Sequence, residues 1–378
     1  MSTPHRVCCT LKHMRVIIDA VPLLIRSAGV KNYLYHWITH LRREAGAGTI
    51  RTFPALPALG ALTHEGSVAG RARTVFGLGA FAAANHTPLP VLDWLAARAD
   101  VFHASNLLRH PPRRPRLTTT VYDMTCRLLP ELHSAANLRA DESFAELLRR
   151  ADGLIAISES TRDDTVRMMR VPAEKIAVVY PGIAEEFFSV APAAIESVRR
   201  RYALSKPFVL SVGTVEPRKN LDTLLDAFAA LPGALRDAFD LVHAGPLGWS
   251  SEKTAARLGA IRYLGYVPEP DIAPLTAAAA VFAYPSLYEG FGFPVAQAMA
   301  AGVPVITSNV SSLPEIAGDS ALLIDPRSLN DLRGALTRLL ESPALRTELA
   351  ARGRARARRF TWQACAAQSL RFFTTLSG

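Results

Sequence analysis

With 378 residues, 49% of them hydrophobic, the chain can bury a large core yet is too long for one ordinary domain, so two domains are expected. No uncharged apolar run reaches the length of about 18 residues that a membrane span needs, which argues against a spanning segment. A formal charge of +10 suggests a nucleic-acid binder, but the arginines fall in separate clusters, at Arg113, Arg114 and Arg116, at residues 199–201 and between Arg352 and Arg359, without interleaved aromatics or a nucleic-acid motif.

In chain order, MSTPHRVCCTLKH (1–13) has no apolar core of signal-peptide length and reads as a disordered extension, or as residues upstream of a true start at Met14. MRVIIDA (14–20) reads as the first strand. After a turn at Ser27, Ala28 and Gly29, a helix is predicted from Leu34, Trp37, Ile38 and Leu41 at i, i+3, i+4 and i+7. Residues 49–89, rich in Gly, Ala, Pro and Thr, give elements that are hard to place.

VFHAS (101–105), TTTVY (118–122) and LIAIS (154–158) are short apolar runs separated by loops or helical stretches, the alternation of βα units on a parallel sheet. Such sheets bind ligands beyond the carboxyl ends of their strands, which is where Tyr122 and Asp123 stand. Asp123 could equally be a helix cap or turn residue. Ser158 is placed to cap the helix that follows it. IAVVY (176–180) ends the first domain, and residues 184–207 read as the connection.

FVLSV (208–212) opens a second sheet. After its loop, Asn220 is expected to cap a helix that carries Leu221, Leu224, Leu225 and Phe228 on one face. Arg218 and Lys219 set two cations beside the positive end of that helix, unfavourable for stability but suited to holding a pyrophosphate. The alternative is two solvated cations in a loop. Strands are predicted at 241–245, 261–264, 281–284, 304–307 and 321–324, with a helix near 269–279 and further helices from Leu329 onward.

The stretch YPSLYEGFGFPVAQAMAAGVPVITS (284–308) organises this half. A buried strand leads into a loop with Glu289, Gly290 and Gly292, and Pro294 then opens an Ala-rich helix. Glycines before such a helix let the backbone approach a ligand closely while unpaired first-turn amides face it, an anion cradle with a carboxylate alongside. Alternatively the glycines only solve backbone geometry. Cys8, Cys9, Cys126 and Cys365 show no metal-ligand or disulfide spacing, which suits a reducing cytoplasm.

At these residues the chain resembles family 4 of the nucleotide-sugar-dependent retaining glycosyltransferases, marked by two Glu residues with seven residues between them around a GFG loop. Glu289 stands at the first Glu position, Gly290, Phe291 and Gly292 form the loop, and Gln297 occupies the second Glu position, a departure. The EPRKN run at 216–220 and EGFGFP at 289–294 are mannosyltransferase-like, and IRYLGYVPEPDIAPL (261–275) and SSLPEIAGDSALLIDP (311–326) extend the match in family order.

The resemblance implies the GT-B fold, two doubly wound Rossmann-like α/β domains facing across a cleft. An acceptor-side domain would run over 14–190, with the helix at 360–378 packing back on it, and a nucleotide-sugar domain over 191–359. It implies that Lys219 binds donor phosphates, with Arg218 substituting for a more distant arginine that is Thr214 here. Glu289 would act on the donor sugar and its transition state, and Gln297 would hold the ribose. The loop beginning at Gly29 would lie against the reaction centre, with Lys31 as a cation near phosphate, and Tyr122 replaces a histidine that contacts the sugar.

The implied activity is transfer of a hexose, mannose-like by preference, from a nucleotide diphosphate sugar to a sugar or lipid-linked acceptor, in cell-surface polysaccharide or glycolipid assembly. No metal and no cofactor is expected, and no nucleic-acid partner. A cytoplasmic protein is implied, with peripheral contact to an anionic membrane through the 352–359 arginines as the alternative to a solvated helix face. Two competing readings are a catalytically inactive GT-B partner subunit, suggested by Gln297, Tyr122 and Thr214, and a phosphorylase, for which no lysine-bound pyridoxal phosphate motif stands in the sequence.

Overall fold

A computed structural model describes residues 14–27, 29–46, 48–87 and 90–377. The expected disordered extension at 1–13, with Cys8 and Cys9, and Ala28 of the expected turn lie outside the described residues. The chain divides into two compact units, Met1–Gly182 with Thr361–Gly378, and Ile183–Phe360.

The first unit is built on six parallel strands: β1 (Val16–Asp19), β2 (Ile50–Phe53), β3 (Val101–Ala104), β4 (Arg116–Val121), β5 (Gly153–Ala156) and β6 (Ile176–Val178), in the order β2-β1-β3-β4-β5-β6. Val16 pairs with Ile50 on one side and with Val101 on the other, which fixes the register around β1. β3 and β5 are buried at every position, as strands covered on both faces must be. The helix Gly29–Ala45 buries Leu34, Trp37, Ile38 and Leu41, the four positions of the predicted stripe. Against it packs Trp362–Ser377, where Ser369 Oγ accepts a hydrogen bond from Trp37 Nε1 at 2.8 Å. Ser158 Oγ accepts from the Thr161 amide at 3.0 Å, the expected cap.

The second unit repeats the plan with β7 (Phe208–Val212), β8 (Asp240–Ala244), β9 (Arg262–Tyr263), β10 (Val281–Tyr284), β11 (Val305–Ser308) and β12 (Ala321–Ile324), all parallel, in the order β12-β11-β10-β7-β8-β9. Leu221, Leu224 and Leu225 enter its core beside Leu332, Leu336 and Leu339 of the helix Leu329–Glu341. Each unit is thus Rossmann-like, and together they make the GT-B fold.

Several expectations are revised. The units divide at Gly182 and Ile183 rather than at 190, because the segment read as a connection folds into the second unit. Its helix Pro192–Arg201 packs on Glu269–Ala277, and Asp271 accepts from Arg201 and from the Tyr202 hydroxyl. The loop expected at residues 29–33 is instead the start of the helix Gly29–Ala45. Asn220 stands at the helix start in a left-handed conformation, φ 55°, and does not cap its amides. Its Nδ2 donates to the Pro285 and Pro326 carbonyls, tying three loops together.

The unassigned 49–89 stretch holds β2 and the helix Arg71–His86. Of the arginines read as a solvated face on 352–359, Arg352, Arg354, Arg358 and Arg359 are exposed and Arg356 is half-buried, and three of the five also hold partners within the unit. Arg354 donates to the Phe188 carbonyl, Arg356 to the carbonyls of Glu315 and Ile316, and Arg352 pairs with Asp319 and Glu348. Among the described residues no helix is long and apolar enough to cross a membrane.

Candidate active site

The ends of β7 and β10 bring the charged groups of the second unit together. After β7 the chain makes a short 3-10 turn, Pro217–Lys219, which delivers Arg218 and Lys219 just before the helix Leu221–Ala229. Beyond β10 the loop from Pro285 to Gly292 carries Ser286 and Glu289 back beneath those two cations. Glu289 is only 7% exposed, and its two oxygens are divided between them. Oε1 accepts from Lys219 Nζ at 2.7 Å, from Ser286 Oγ at 2.7 Å and from the Tyr284 hydroxyl at 2.9 Å, while Oε2 meets Arg218 Nη1 at 2.9 Å.

Arg218 is held on its other side by Glu216 Oε1 at 2.8 Å and by the Tyr288 carbonyl at 2.9 Å. Lys219 Nζ also donates to the Tyr284 hydroxyl at 2.6 Å and lies 5.1 Å from the centre of that ring. The loop backbone is pinned as well, since Ser311 Oγ accepts from the Glu289 amide and Ser312 Oγ donates to the Glu289 carbonyl.

The electrostatics follow from this packing. Burial alone would raise the Glu289 pKa, but Arg218, Lys219 and the hydrogen bonds of Lys219 and Ser286 draw it down to about 2. Burial and the neighbouring Arg218 lower the Lys219 pKa, against the pull of Glu289 and Glu216. Glu289 is therefore a fixed anion that positions two cations.

Gly292 has φ +88°, and a Cβ there would stand 2.7 Å from Leu313 Cδ2, so the loop needs glycine at this turn. It leads into the helix Phe293–Ala300, in which Pro294 takes the second position rather than opening it. Phe291 is buried edge-on to Phe360, a packing role rather than a polar one. Gln297, the fifth residue of that helix, is half-buried in its second turn, and its amide makes no hydrogen bond among the described residues.

In the first unit the site residues predicted from sequence behave differently. Lys31 is fully buried, and its Nζ donates to the carbonyls of Thr63 and Gly66 at 3.1 and 2.5 Å, so it serves as an internal tie and the expectation of a cation near phosphate is withdrawn. Gly29 is the first residue of its helix, with open space where a side chain would stand. Asp123 Oδ1 accepts from the Thr125 amide and hydroxyl at 3.0 and 2.6 Å, the turn arrangement weighed above. Tyr122 is half-buried and packs edge-on to Tyr33, ring centres 5.4 Å apart. Burial, then the nearby Asp19, push its hydroxyl pKa upward, so it acts as a neutral hydrogen-bonding group.

Sequence reasoning missed Asp19, the last residue of β1, 1% exposed. Its carboxylate accepts from the Val21 amide and from the amide and hydroxyl of Ser105 at the end of β3. Burial raises its pKa to about 6 against the lowering by those hydrogen bonds. The signal available was its place at the carboxyl end of the first strand. Tyr284, Ser286 and Glu216 were also missed as partners of the charged residues. Among the described residues no group of three or more His, Cys, Asp or Glu could hold a metal ion.

Residues 195–356 match the family described as Glycosyl transferases group 1, and residues 27–187 match Glycosyltransferase Family 4. The chain is 35% identical over 284 residues to the O-antigen chain mannosyltransferase B of Escherichia coli, covering 73% of this chain and 74% of that one. It is 29% identical over 266 residues, 66% of this chain, to the serotype-specific mannosyltransferase WbdA of the same species, of whose length it spans 32%. Among solved structures, Anabaena HepE in complex with UDP and glucose matches with a TM-score of 0.71 at 19% identity, over 96% of this chain and 100% of that one. These matches meet the GFG loop and the paired cations on the same chain, which belongs to the family 4 glycosyltransferases and is a glycosyltransferase enzyme.

Proposed function

We propose that the protein transfers a hexose, mannose by preference, from a nucleotide diphosphate sugar to an acceptor hydroxyl with retention of anomeric configuration, in assembly of a cell-surface polysaccharide or glycolipid. The observation that carries this reading is the pair Arg218 and Lys219, fixed by Glu289 and Glu216 at the carboxyl ends of β7 and β10. Cations held in place before substrate arrives suit a reaction in which negative charge develops on a departing diphosphate, since no reorganisation is then needed as the bond breaks. Two side-chain cations with the first-turn amides of the helix Phe293–Ala300 supply that neutralisation without a metal or cofactor.

In this reading Glu289 sets the cations on one side and opposes the developing oxocarbenium charge on the other. The leaving phosphate takes the acceptor proton. Gln297 reaches the ribose, and the half-buried Tyr122 hydroxyl offers a neutral donor to the sugar. The mannose preference is supported by the O-antigen mannosyltransferase relative, and a nucleotide donor by the UDP held in the HepE structure.

The test is a thermal-shift screen of the pure protein with GDP, UDP, ADP and dTDP, followed by turnover of the matching nucleotide sugars. A selective diphosphate should raise the melting temperature by mass action, and its sugar conjugate should be consumed. Absence of both with every donor would leave the inactive partner-subunit reading in place of this one.

A further inference from the structure

We propose that the helix Arg71–His86 and the short helix Val91–Leu95 of the first unit form a docking surface for an anionic lipid bilayer. A helix on the outside of an α/β unit normally turns polar residues to water, with its apolar stripe facing the core. Here Ala72, Val75, Phe76, Gly79 and Ala82, spaced at i, i+3, i+4, i+7 and i+10, form an exposed apolar stripe, and the exposed polar residues Arg71, Arg73 and His86 stand toward the helix ends. Val75 is 73% and Phe76 79% exposed. The inward side is closely seated, since a Cβ at Gly77 would stand 2.8 Å from Leu24 Cδ1 and 2.9 Å from Pro54 Cγ. Asn85 anchors the far end through the Leu107 carbonyl and the Arg109 amide.

The apolar surface continues onto the neighbouring helix, where Trp94 is 70% and Leu95 59% exposed. Four large apolar side chains exposed on two packed helices are more than scattered surface residues. Their surroundings are strongly basic. Residues 66–116 carry seven arginines and two aspartates, with no lysine or glutamate. Both aspartates are engaged, Asp93 by the Arg113 amide and Asp100 by Arg15. Arg71 and Arg73 on the helix, and Arg109 and Arg114 on the adjoining loop, form no ion pair among the described residues and are exposed.

Apolar and aromatic side chains ringed by arginine match the boundary between acyl chains and acidic head groups. A second copy of the chain fits less well, because a two-fold contact would set one arginine rim against the other. This surface also differs from the 352–359 cluster, where Arg352, Arg354 and Arg356 are held by partners and, among the described residues, no large apolar side chain is exposed beside them. The proposal does not rest on the transfer reaction, and vesicle binding tests it independently of turnover.

The experiment is flotation of the full chain with vesicles of equal parts phosphatidylcholine and phosphatidylglycerol, against pure phosphatidylcholine. The expected result is binding to the anionic vesicles that weakens with salt, as charges screened over about 8 Å must, but leaves a salt-resistant fraction. Phe76→Ser with Trp94→Ser should cut that fraction about tenfold. Arg71→Gln with Arg73→Gln should cut low-salt binding about fivefold for each arginine, and Arg352→Gln should leave both unchanged.

Quenching of Trp94 fluorescence by brominated lipid, lost in Trp94→Phe, reads insertion without depending on how a serine variant folds. Binding unaltered by the Phe76 and Trp94 changes would overturn the proposal. So would a wild type that ignores the vesicles but forms a concentration-dependent dimer that Phe76→Ser abolishes, which would assign the surface to a second copy.

Discussion

Two buried carboxylates lie at the carboxyl ends of the two sheets, and their environments drive them in opposite directions. Glu289, beyond β10, faces two cations and holds its proton only near pH 2. Asp19, ending β1, faces a hydroxyl and two amides, and burial lifts it to about 6. Hydrogen bonds from neutral donors only partly offset desolvation of an anion, whereas a full opposite charge at under 3 Å overcomes it. The second unit is thus built around compensated charge, and the first around a carboxyl that the fold favours in its neutral form.

The largest way to break this contrast is to remove one of the cations. Lys219→Ala leaves Glu289 buried with Arg218 as its remaining cation, and losing one partner of a buried pair costs about 3–5 kcal/mol. Urea unfolding should show a fall of that order. The same variant should bind the nucleoside diphosphate more weakly by about 1.5–3 kcal/mol in isothermal titration, the range for a hydrogen bond to a charged group. Unchanged affinity would put the phosphates elsewhere.

Removing the anion instead separates binding from chemistry. Glu289→Gln frees Arg218 and Lys219 from a competing carboxylate, so nucleoside diphosphate affinity should hold or rise. kcat should fall on the order of 100-fold or more, the loss typical when a group opposing transition-state charge is removed. Parallel losses in kcat and nucleotide affinity would mean that Glu289 acts only by holding the cations.

Acidity tests the contrast directly, because the two carboxyls give stability slopes of opposite sign. Glu289 titrates below its ordinary 4.5, so its contribution is complete above that pH and is lost as pH falls toward 2. Asp19 titrates above its ordinary 3.8, so its contribution is complete below that pH and is lost as pH rises through 6. Each shift corresponds to on the order of 3 kcal/mol. Chemical denaturation across the pH range should show Glu289→Gln flattening the acid limb and Asp19→Asn flattening the slope between about pH 4 and 6. A wild-type slope that Asp19→Asn leaves intact would assign that titration to another group.

The contrast also explains what the sequence discloses. Glu289, Lys219 and Gly292 could be read from local chain: a glycine turn before a helix and two cations before another are short-range patterns with a physical meaning of their own. Most strands were legible too, since a strand buried on both faces is a continuous apolar run. That Glu289 binds Lys219 was not legible, because 70 residues separate them and only the parallel order of β7 beside β10 brings them together. Lys31 misled for a related reason. Its charge suggested a ligand, while the carbonyls that hold it, at Thr63 and Gly66, belong to a stretch without periodicity. The helix Arg71–His86 escaped prediction because it is apolar on both sides, so no single stripe marks it.

The smallest expected effect concerns Gln297, where the chain departs from its family's second glutamate. Its half-buried amide, unpaired among the described residues, has one acceptor oxygen and two donor hydrogens to offer a ribose diol. A carboxylate would accept more strongly, since charge-assisted hydrogen bonds are about twice as strong as neutral ones. It would also add an anion to a unit whose two site cations already face Glu216 and Glu289, and that repulsion of a diphosphate offsets part of the gain. Gln297→Glu should therefore keep activity and change the donor KM by no more than about tenfold, near 1.4 kcal/mol, while Gln297→Ala, which offers neither donor nor acceptor, should raise KM further. Initial-rate kinetics on the two variants decide it. A wild type inert with every donor and a Gln297→Glu variant that turns over would show that the charge balance around Glu289 is complete only with a second carboxylate, and that the natural chain serves as a partner subunit.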